Sequence, residues 1–431
     1  MLEIAFLLIY VLFSDIVSPQ TMYYILIIQG LLSVIIHIRK KKSIDAIFIF
    51  YIGMILTNIA NISLIGKIGT SYLSTYNYIV PRYIGSSVLI WCIYCTVVIF
   101  AYHWFSNKSL PSIGFEIKNK KHHQAIFILL LSFNIMALLG GHLRISGVFL
   151  KVAGLLNTMG ILYFSRIWSK ENNKRYRTYA ITLCIITTYV SLLNSFLRSD
   201  LIIPTFCLFL GYFIGKDKLK YFFSFRVIPF LIVIFIYASV FSSLQKNRSN
   251  FISVFTEEPA KERATDNSSA LLVRSANIAQ LTNVIKLVKQ NGFYQGRASA
   301  PLVLAFIPRF LWANKPTIAL GSWFALEINA AYKDENGRVN NSINMTIPGE
   351  LYLDFGWAGV LIGSLFMGAL IAAMWNATEF HKSQYNLGGT LFGGYLLLLS
   401  MSGFGGDLQI VITLFSTYFT FFVIKKLAAQ L

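Results

Sequence analysis

Apolar residues in this chain gather into long runs, at about 3–17, 21–38, 44–65, 85–104, 125–140, 148–168, 179–197, 201–215, 227–244, 355–376, 387–402 and 407–424. A helix needs ~20 apolar residues to cross a bilayer. The runs therefore predict an all-α polytopic membrane protein of twelve spans, or eleven if the first run, which Asp15 interrupts, stops short. The predicted organisation is nine spans in residues 1–244, a long loop over 245–354, and three spans in 355–431.

Composition closes off the alternatives. Hydrophobic residues make up 56% of the 431 and charged residues only 13%, about half the ~25% of soluble domains. Mean hydropathy is +0.62, and a soluble fold would have no way to cover that much apolar surface. The net charge of +19 would suggest nucleic acid in a soluble protein. Here 20 of the 37 basic residues fall in linkers on one side, including Arg39–Lys42, Lys108–Lys121, Arg166–Arg177 and Lys216–Arg226. Those on the short linkers opposite are Lys67, Arg82, Arg144, Lys151 and Arg198. The charge is thus a topology signal that predicts both termini in the cytoplasm, with no nucleic-acid partner.

The loop at 245–354 escapes that rule because it is long. It holds the remaining 12 basic residues, which outnumber its acids. Leu271, Ile278, Leu281, Ile285 and Val288 share one helical face, with Ser268 or Ser269 placed to open the helix and Asn291-Gly292 to end it. This amphipathic helix suits either a roof over a site or a helix docked on the membrane surface. Ala300–Trp312 is apolar, broken by Pro301 and Pro308 and too short to span, which predicts a re-entrant or interfacial segment. A second helix is expected from Ser322 to about Tyr332.

No metal-ligand constellation, P-loop, Gly-x-Ser-x-Gly or His-Glu-x-x-His is present, and the loop has no Asp-x-Asp. Cys92, Cys95, Cys184 and Cys207 all lie in apolar runs and read as core residues. Of six histidines, His142 alone is expected on the loop side. The glycines of Leu387–Tyr395 and Gly403–Gly406 suit close helix packing.

One block carries chemistry. Ile307-Pro308-Arg309-Phe310-Leu311-Trp312-Ala313-Asn314-Lys315-Pro316 is a proline-fenced basic turn. Ile347-Pro348-Gly349-Glu350-Leu351-Tyr352-Leu353-Asp354-Phe355-Gly356-Trp357-Ala358-Gly359 then leads into a span. Arg309 and Lys315 at an apolar-aqueous boundary suit an anionic headgroup, since arginine grips phosphate oxygens in bidentate fashion. Generic attraction to anionic membrane lipids and an interfacial belt of Trp and Tyr account for the same residues equally well.

This block resembles the bacterial oligosaccharide repeat-unit polymerases, the Wzy family, which build O-antigen and related polysaccharides. The likeness covers the layout of spans, one late extracytoplasmic loop, the Pro-Arg-x-Leu-Trp-x-x-Lys-Pro-like turn and the Gly-Glu-x-Tyr-x-x-Phe-Gly lead into the next span. Arg198-Ser199 is similar to an Arg-Ser pair of that family, whereas Ala313 stands where its turn often has proline. The resemblance implies a glycosyltransferase of the bacterial inner membrane, without metal or other cofactor. Donor and acceptor would both be undecaprenyl-diphosphate-linked oligosaccharides, and a chain-length regulator and a flippase would be its partners.

Such a reaction needs cations against the growing charge of the leaving diphosphate. The candidates are Arg309, as a catalytic residue, with Arg198, Arg248, Arg274, Arg297 and Lys315 as binding residues; the loop arginines have the loop's own acids as competing partners. Glu350 is the expected general base, the alternative being an acid that stabilises the N-terminus of its helix. Asp354, Asp200 and His142 are weaker candidates for that role. Trp312 and Tyr352, with Tyr294, Trp323, Tyr332 and Trp357, are candidates to stack on sugar rings. An O-antigen ligase and a lipid-linked oligosaccharide flippase are the competing functions. The flippase is disfavoured because no matching halves or mid-membrane charges are evident.

Overall fold

A computed structural model of the chain describes residues 2–14, 16–40, 43–66, 79–143, 147–194, 198–216, 276–300, 320–333, 335, 337, 339, 342–401 and 408–428. Regular structure among these residues is helical: α1 (Leu2–Phe13), α2 (Pro19–Lys40), α3 (Ala46–Ile65), α4 (Ile84–Trp104), α5 (Lys120–Leu143), α6 (Gly147–Glu171), α7 (Lys174–Asn194), α8 (Arg198–Gly215), α9 (Ile278–Asn291), α10 (Leu320–Glu327), α11 (Ile347–Ala377), α12 (Leu387–Met401) and α13 (Gln409–Ala428).

Eleven of the twelve expected apolar runs fall on helices, and the run at 227–244 lies outside the described residues. Six helices among the described residues are long and apolar enough to cross a membrane: α2, α3, α4, α5, α11 and α13. The helices α1, α8 and α12 are apolar but shorter. With 12 residues, α1 reaches only ~18 Å at ~1.5 Å per residue, well under the ~30 Å hydrocarbon thickness. The chain is therefore an α-helical membrane protein.

Helix α4 is apolar all round and is the buried centre, packed by α1, α2, α9 and α11. Its Trp91, Cys92, Tyr94 and Cys95 have no exposed surface, and all four cysteines are free and buried, as core residues should be. A second cluster joins α5, α6 and α7 through Leu130, Phe164, Tyr176 and Leu183. At the periphery, α13 leaves Phe419, Ile424 and Leu427 exposed, as a lipid-facing helix does.

The ends of the bundle differ in chemistry. One pole gathers the basic linkers and is knitted by backbone bonds. Ile113 donates to Ala377, Ile117 donates to Tyr385, and Leu387 donates to Phe115. Asn386 caps α12 by accepting from Gly389 at 2.9 Å and donates to the Thr378 carbonyl at 2.8 Å. Arg166, assigned to a linker from sequence, is instead buried in α6, donating to Thr390 Oγ1 and lying 4.6 Å from the Phe380 ring centre. Tyr385 donates to Glu171, and that bond, with burial second, holds its phenol above the ordinary tyrosine value. The opposite pole holds the described parts of the long loop.

Close helix approach rests on glycine. A Cβ on Gly368 of α11 would collide with the Val98 carbonyl of α4 and sit 2.7 Å from Ala101 Cβ, whereas one on Gly154 of α6 meets nothing. Gly368→Ala should lower stability by about 1–3 kcal/mol through overpacking, and Gly154→Ala should not. Thermal unfolding of the two variants in detergent checks this, and equal midpoints would refute the α4–α11 packing.

Candidate functional site

The loop pole is organised by α11, which is broken. Gly356 adopts φ 63°, ψ −144°, which separates a half-helix over 347–355 from a membrane-crossing piece over 357–377. Glycine is needed there twice over, because the φ is positive and the Phe293 ring lies 2.9 Å from where a Cβ would be. Thr346 starts the half-helix, its hydroxyl accepting from the Gly349 amide at 3.2 Å.

Two acids one turn apart, Glu350 and Asp354, lie on this half-helix, and each is 1% exposed. Glu350 Oε2 accepts the backbone N–H of Leu408 at 3.0 Å, just ahead of α13. Glu350 thus serves the N-terminus of a different helix from its own. Asp354 Oδ1 accepts from the Ala298 amide at 3.1 Å, and its Oδ2 accepts from the Ser299 amide at 2.9 Å and from the Ser299 hydroxyl. Backbone bonds from Tyr294 to Leu353 and from Gln295 to Asp354 complete the join. Residues 294–299 are therefore laid along the half-helix. Gly296, at φ 85°, passes 3.2 Å from the Phe355 ring at its own missing Cβ.

Aromatic rings surround this join. Tyr352 lies between Phe293 and Trp357, with centroids at 5.9 and 5.6 Å, and Tyr294 meets Trp323 edge-on at 5.5 Å. Tyr352 is only 7% exposed, so its faces are engaged within the protein. Phe293 and Trp357 are 49% and 38% exposed and present ring surface outward. Arg297 is exposed in the same segment.

Helix α9 roofs the half-helix from the side. The expected amphipathic helix is real but starts at Ile278, because Ala276 and Asn277 are non-helical. Ser268 and Ser269 lie outside the described residues. The far end is as expected, with Gly292 at φ 76°. Its apolar face is buried within the protein, with Leu281, Val284, Ile285 and Val288 packed against α4 and α11. Asn61 of α3 anchors its start, its Oδ1 accepting from the Asn277 and Ile278 amides at 2.9 and 3.2 Å. The second loop helix, α10, stops at Glu327 and not near Tyr332, because Asn329 turns left-handed at φ 58° and Ala330 bonds back to Ala325.

Of the sequence candidates, Glu350, Asp354, Tyr352 and Arg297 converge on this pole. Arg248, Arg274, Arg309, Trp312 and Lys315 lie outside the described residues. Arg198 opens α8; its side chain, with those of Asp200 and His142, is also outside them. No cluster of three or more His, Cys, Asp or Glu side chains fit for a metal occurs among the described residues. Asp354 was legible as an acid but not as a clamp; its four-residue spacing from Glu350 in an apolar run was the available signal. Asn58 and Asn61 were passed over as polar residues inside a span, where such residues have a reason. Comparison with family models, curated proteins and solved structures finds no match to the chain.

Asp354→Ala removes the acceptor of two amides and a hydroxyl, and should cost about 1.5–3 kcal/mol, the range for bonds to a charged group. Faster limited proteolysis within 292–300 and a lower thermal midpoint check this. Glu350→Gln keeps an oxygen for Leu408 and should shift the midpoint far less.

Proposed function

We propose that this chain is a glycosyltransferase of the repeat-unit polymerase type, joining polyprenyl-diphosphate-linked oligosaccharides at the outer face of a bacterial inner membrane. On this reading the chain crosses the membrane about twelve times, with both termini cytoplasmic and the loop pole outside. The observation that carries it is the half-helix over 347–355. It places a buried carboxylate and exposed aromatic rings beside the segment that leads, nine residues after Ala300, to Arg309.

In the proposed reaction the acceptor sugar's hydroxyl oxygen attacks the anomeric carbon of the donor. The bond from that carbon to the diphosphate oxygen breaks, and the diphosphate leaves with the electron pair. Glu350 takes the hydroxyl proton, a role worth ~10²–10⁴ in rate. Arg309 and Lys315 lie against the departing charge, where fixed cations stabilise the transition state. Arg297 and the other loop arginines hold the headgroup, and Phe293 and Trp357 face the sugars. The acceptor of a polymerase is a second repeat unit, and a ligase differs in that partner alone.

Purified protein in nanodiscs, supplied with the host's polyprenyl-diphosphate-linked repeat unit, should yield a ladder of products on a gel. Arg309→Ala should abolish the ladder, and Glu350→Gln should slow it at least ~100-fold while leaving folding intact. Native substrate that gives no ladder but is moved across sealed vesicles would replace this reading with a flippase. A fully active Glu350→Gln would retain the reaction and discard the base.

A further inference from the structure

The junction of α3, α4 and α9 contains amide groups that the packed protein leaves unused. Asn58 and Asn61 lie one turn apart on α3, and Asn277 and Gln280 lie one turn apart at the start of α9. The bridge between Asn61 Nδ2 and Asn277 Oδ1, at 2.8 Å, brings the two pairs together. Asn58 Oδ1 accepts the Trp91 indole N–H at 2.9 Å, and Tyr94 stacks on Trp91 with centroids 5.6 Å apart.

Among the described residues three polar atoms here are buried without a hydrogen-bond partner: Asn58 Nδ2, Asn277 Nδ2 and Gln280 Oε1; the hydroxyl of Tyr94, whose ring stacks on Trp91, is a fourth. Turning the asparagine amides over does not remove the problem. An indole N–H and two backbone N–H groups are obligate donors, so the oxygens of Asn58 and Asn61 must face them. Asn61 Nδ2 then donates to Asn277 Oδ1, and the amino groups of Asn58 and Asn277 are left as donors without a partner among the described residues. Buried polar atoms are almost always satisfied by protein or by an ordered molecule. In a bilayer-spanning bundle, lipid supplies no substitute.

The chemistry of an occupant follows from the inventory. Two amide donors, the Gln280 amide and a phenol, without any charged side chain among them, select a neutral group that both accepts and donates. That group is a hydroxyl, and the flat Trp91–Tyr94 stack beside it suits a hydroxylated ring. We propose that the α3–α4–α9 junction is a binding site for a neutral hydroxyl-bearing ligand, supplied by water or by a sugar, and that the Asn61–Asn277 bridge is its latch. The site is sealed in this conformation, so occupancy requires α9 to part from α3 at its N-terminal turn. The inference is independent of glycosyl transfer, since it concerns binding alone.

The test uses the full chain in nanodiscs. Asn58→Cys is reacted with a small water-soluble methanethiosulfonate, against wild type, whose four cysteines are buried. A further control is Ala60→Cys, buried on another face of α3. Asn58→Cys should react at least ten-fold faster than either. Slowing by 100 mM free hexose identifies sugar as an occupant, and reaction unaffected by hexose identifies water; both support the site. Reaction no faster than that of Ala60→Cys overturns it. Should Asn58→Cys not fold, wild-type hydrogen exchange decides. Amides over 276–283 should exchange at least ten-fold faster than those over 284–288, and equal protection of the two stretches overturns the proposal. Neither readout needs turnover, so an inactive protein with a reactive Asn58→Cys refutes the polymerase and retains the site.

Discussion

A buried carboxylate is stable only where donors replace the water it has lost. The loop pole is built on two such carboxylates, one turn apart on the half-helix of α11. Asp354 receives the amides of Ala298 and Ser299 and the Ser299 hydroxyl, and Glu350 receives the amide of Leu408. Each acid therefore fixes a chain segment distant in sequence, and one nine-residue piece aligns the loop with the start of the last helix. That piece is able to turn away from the membrane-crossing part of α11 because Gly356 takes a conformation closed to other residues.

The same economy of contact recurs at the basic pole, where amide side chains and backbone make most of the joins. There, Asn386 supplies an acceptor to Gly389 and donors to two carbonyls, and the strand-like segment around Ile113–Phe115 bonds to the end of α11 and the start of α12. Between the poles, α4 and α11 meet at Gly368 with backbone almost in contact. Small residues serve this purpose in lipid, where association depends on tight packing and not on removing apolar surface from water.

The apolar runs made the helices legible, since each run's length and composition are set by the bilayer itself. They did not say which helices are central: α2 and α3 read alike by hydropathy, yet α3 is mostly enclosed while α2 leaves Tyr24, Ile28, Leu31 and Ile35 exposed. Within the loop, periodicity located α9 and its Gly292 end, but its start depends on Asn61, 216 positions earlier. No local pattern encodes a cap supplied by another helix. The end of α10 was misplaced for the reverse reason, because a left-handed Asn329 is local but asparagine permits that conformation without requiring it. For the site, Glu350 stood out as an acid at a membrane edge, whereas the engagement of Asp354 by residues 298 and 299 is purely tertiary.

The division of labour between the two acids and the cations bears on the chemistry. Among the described residues Asp354 is held by backbone and hydroxyl donors and pairs with no arginine. Arg297, one residue before the clamp, is exposed and makes no ion pair among the described residues. A clamp built from a lysine or arginine would have taken up positive charge that an anionic ligand needs. Holding residues 298 and 299 with Asp354 leaves Arg297 outside any ion pair among the described residues, while the segment that carries it is fixed in place; under the proposed function that cation is there for phosphate oxygens. A fixed cation is worth more to a developing charge than a mobile one, because no reorganisation is needed when the charge appears. The clamp and the unpaired arginine are thus two sides of a single arrangement.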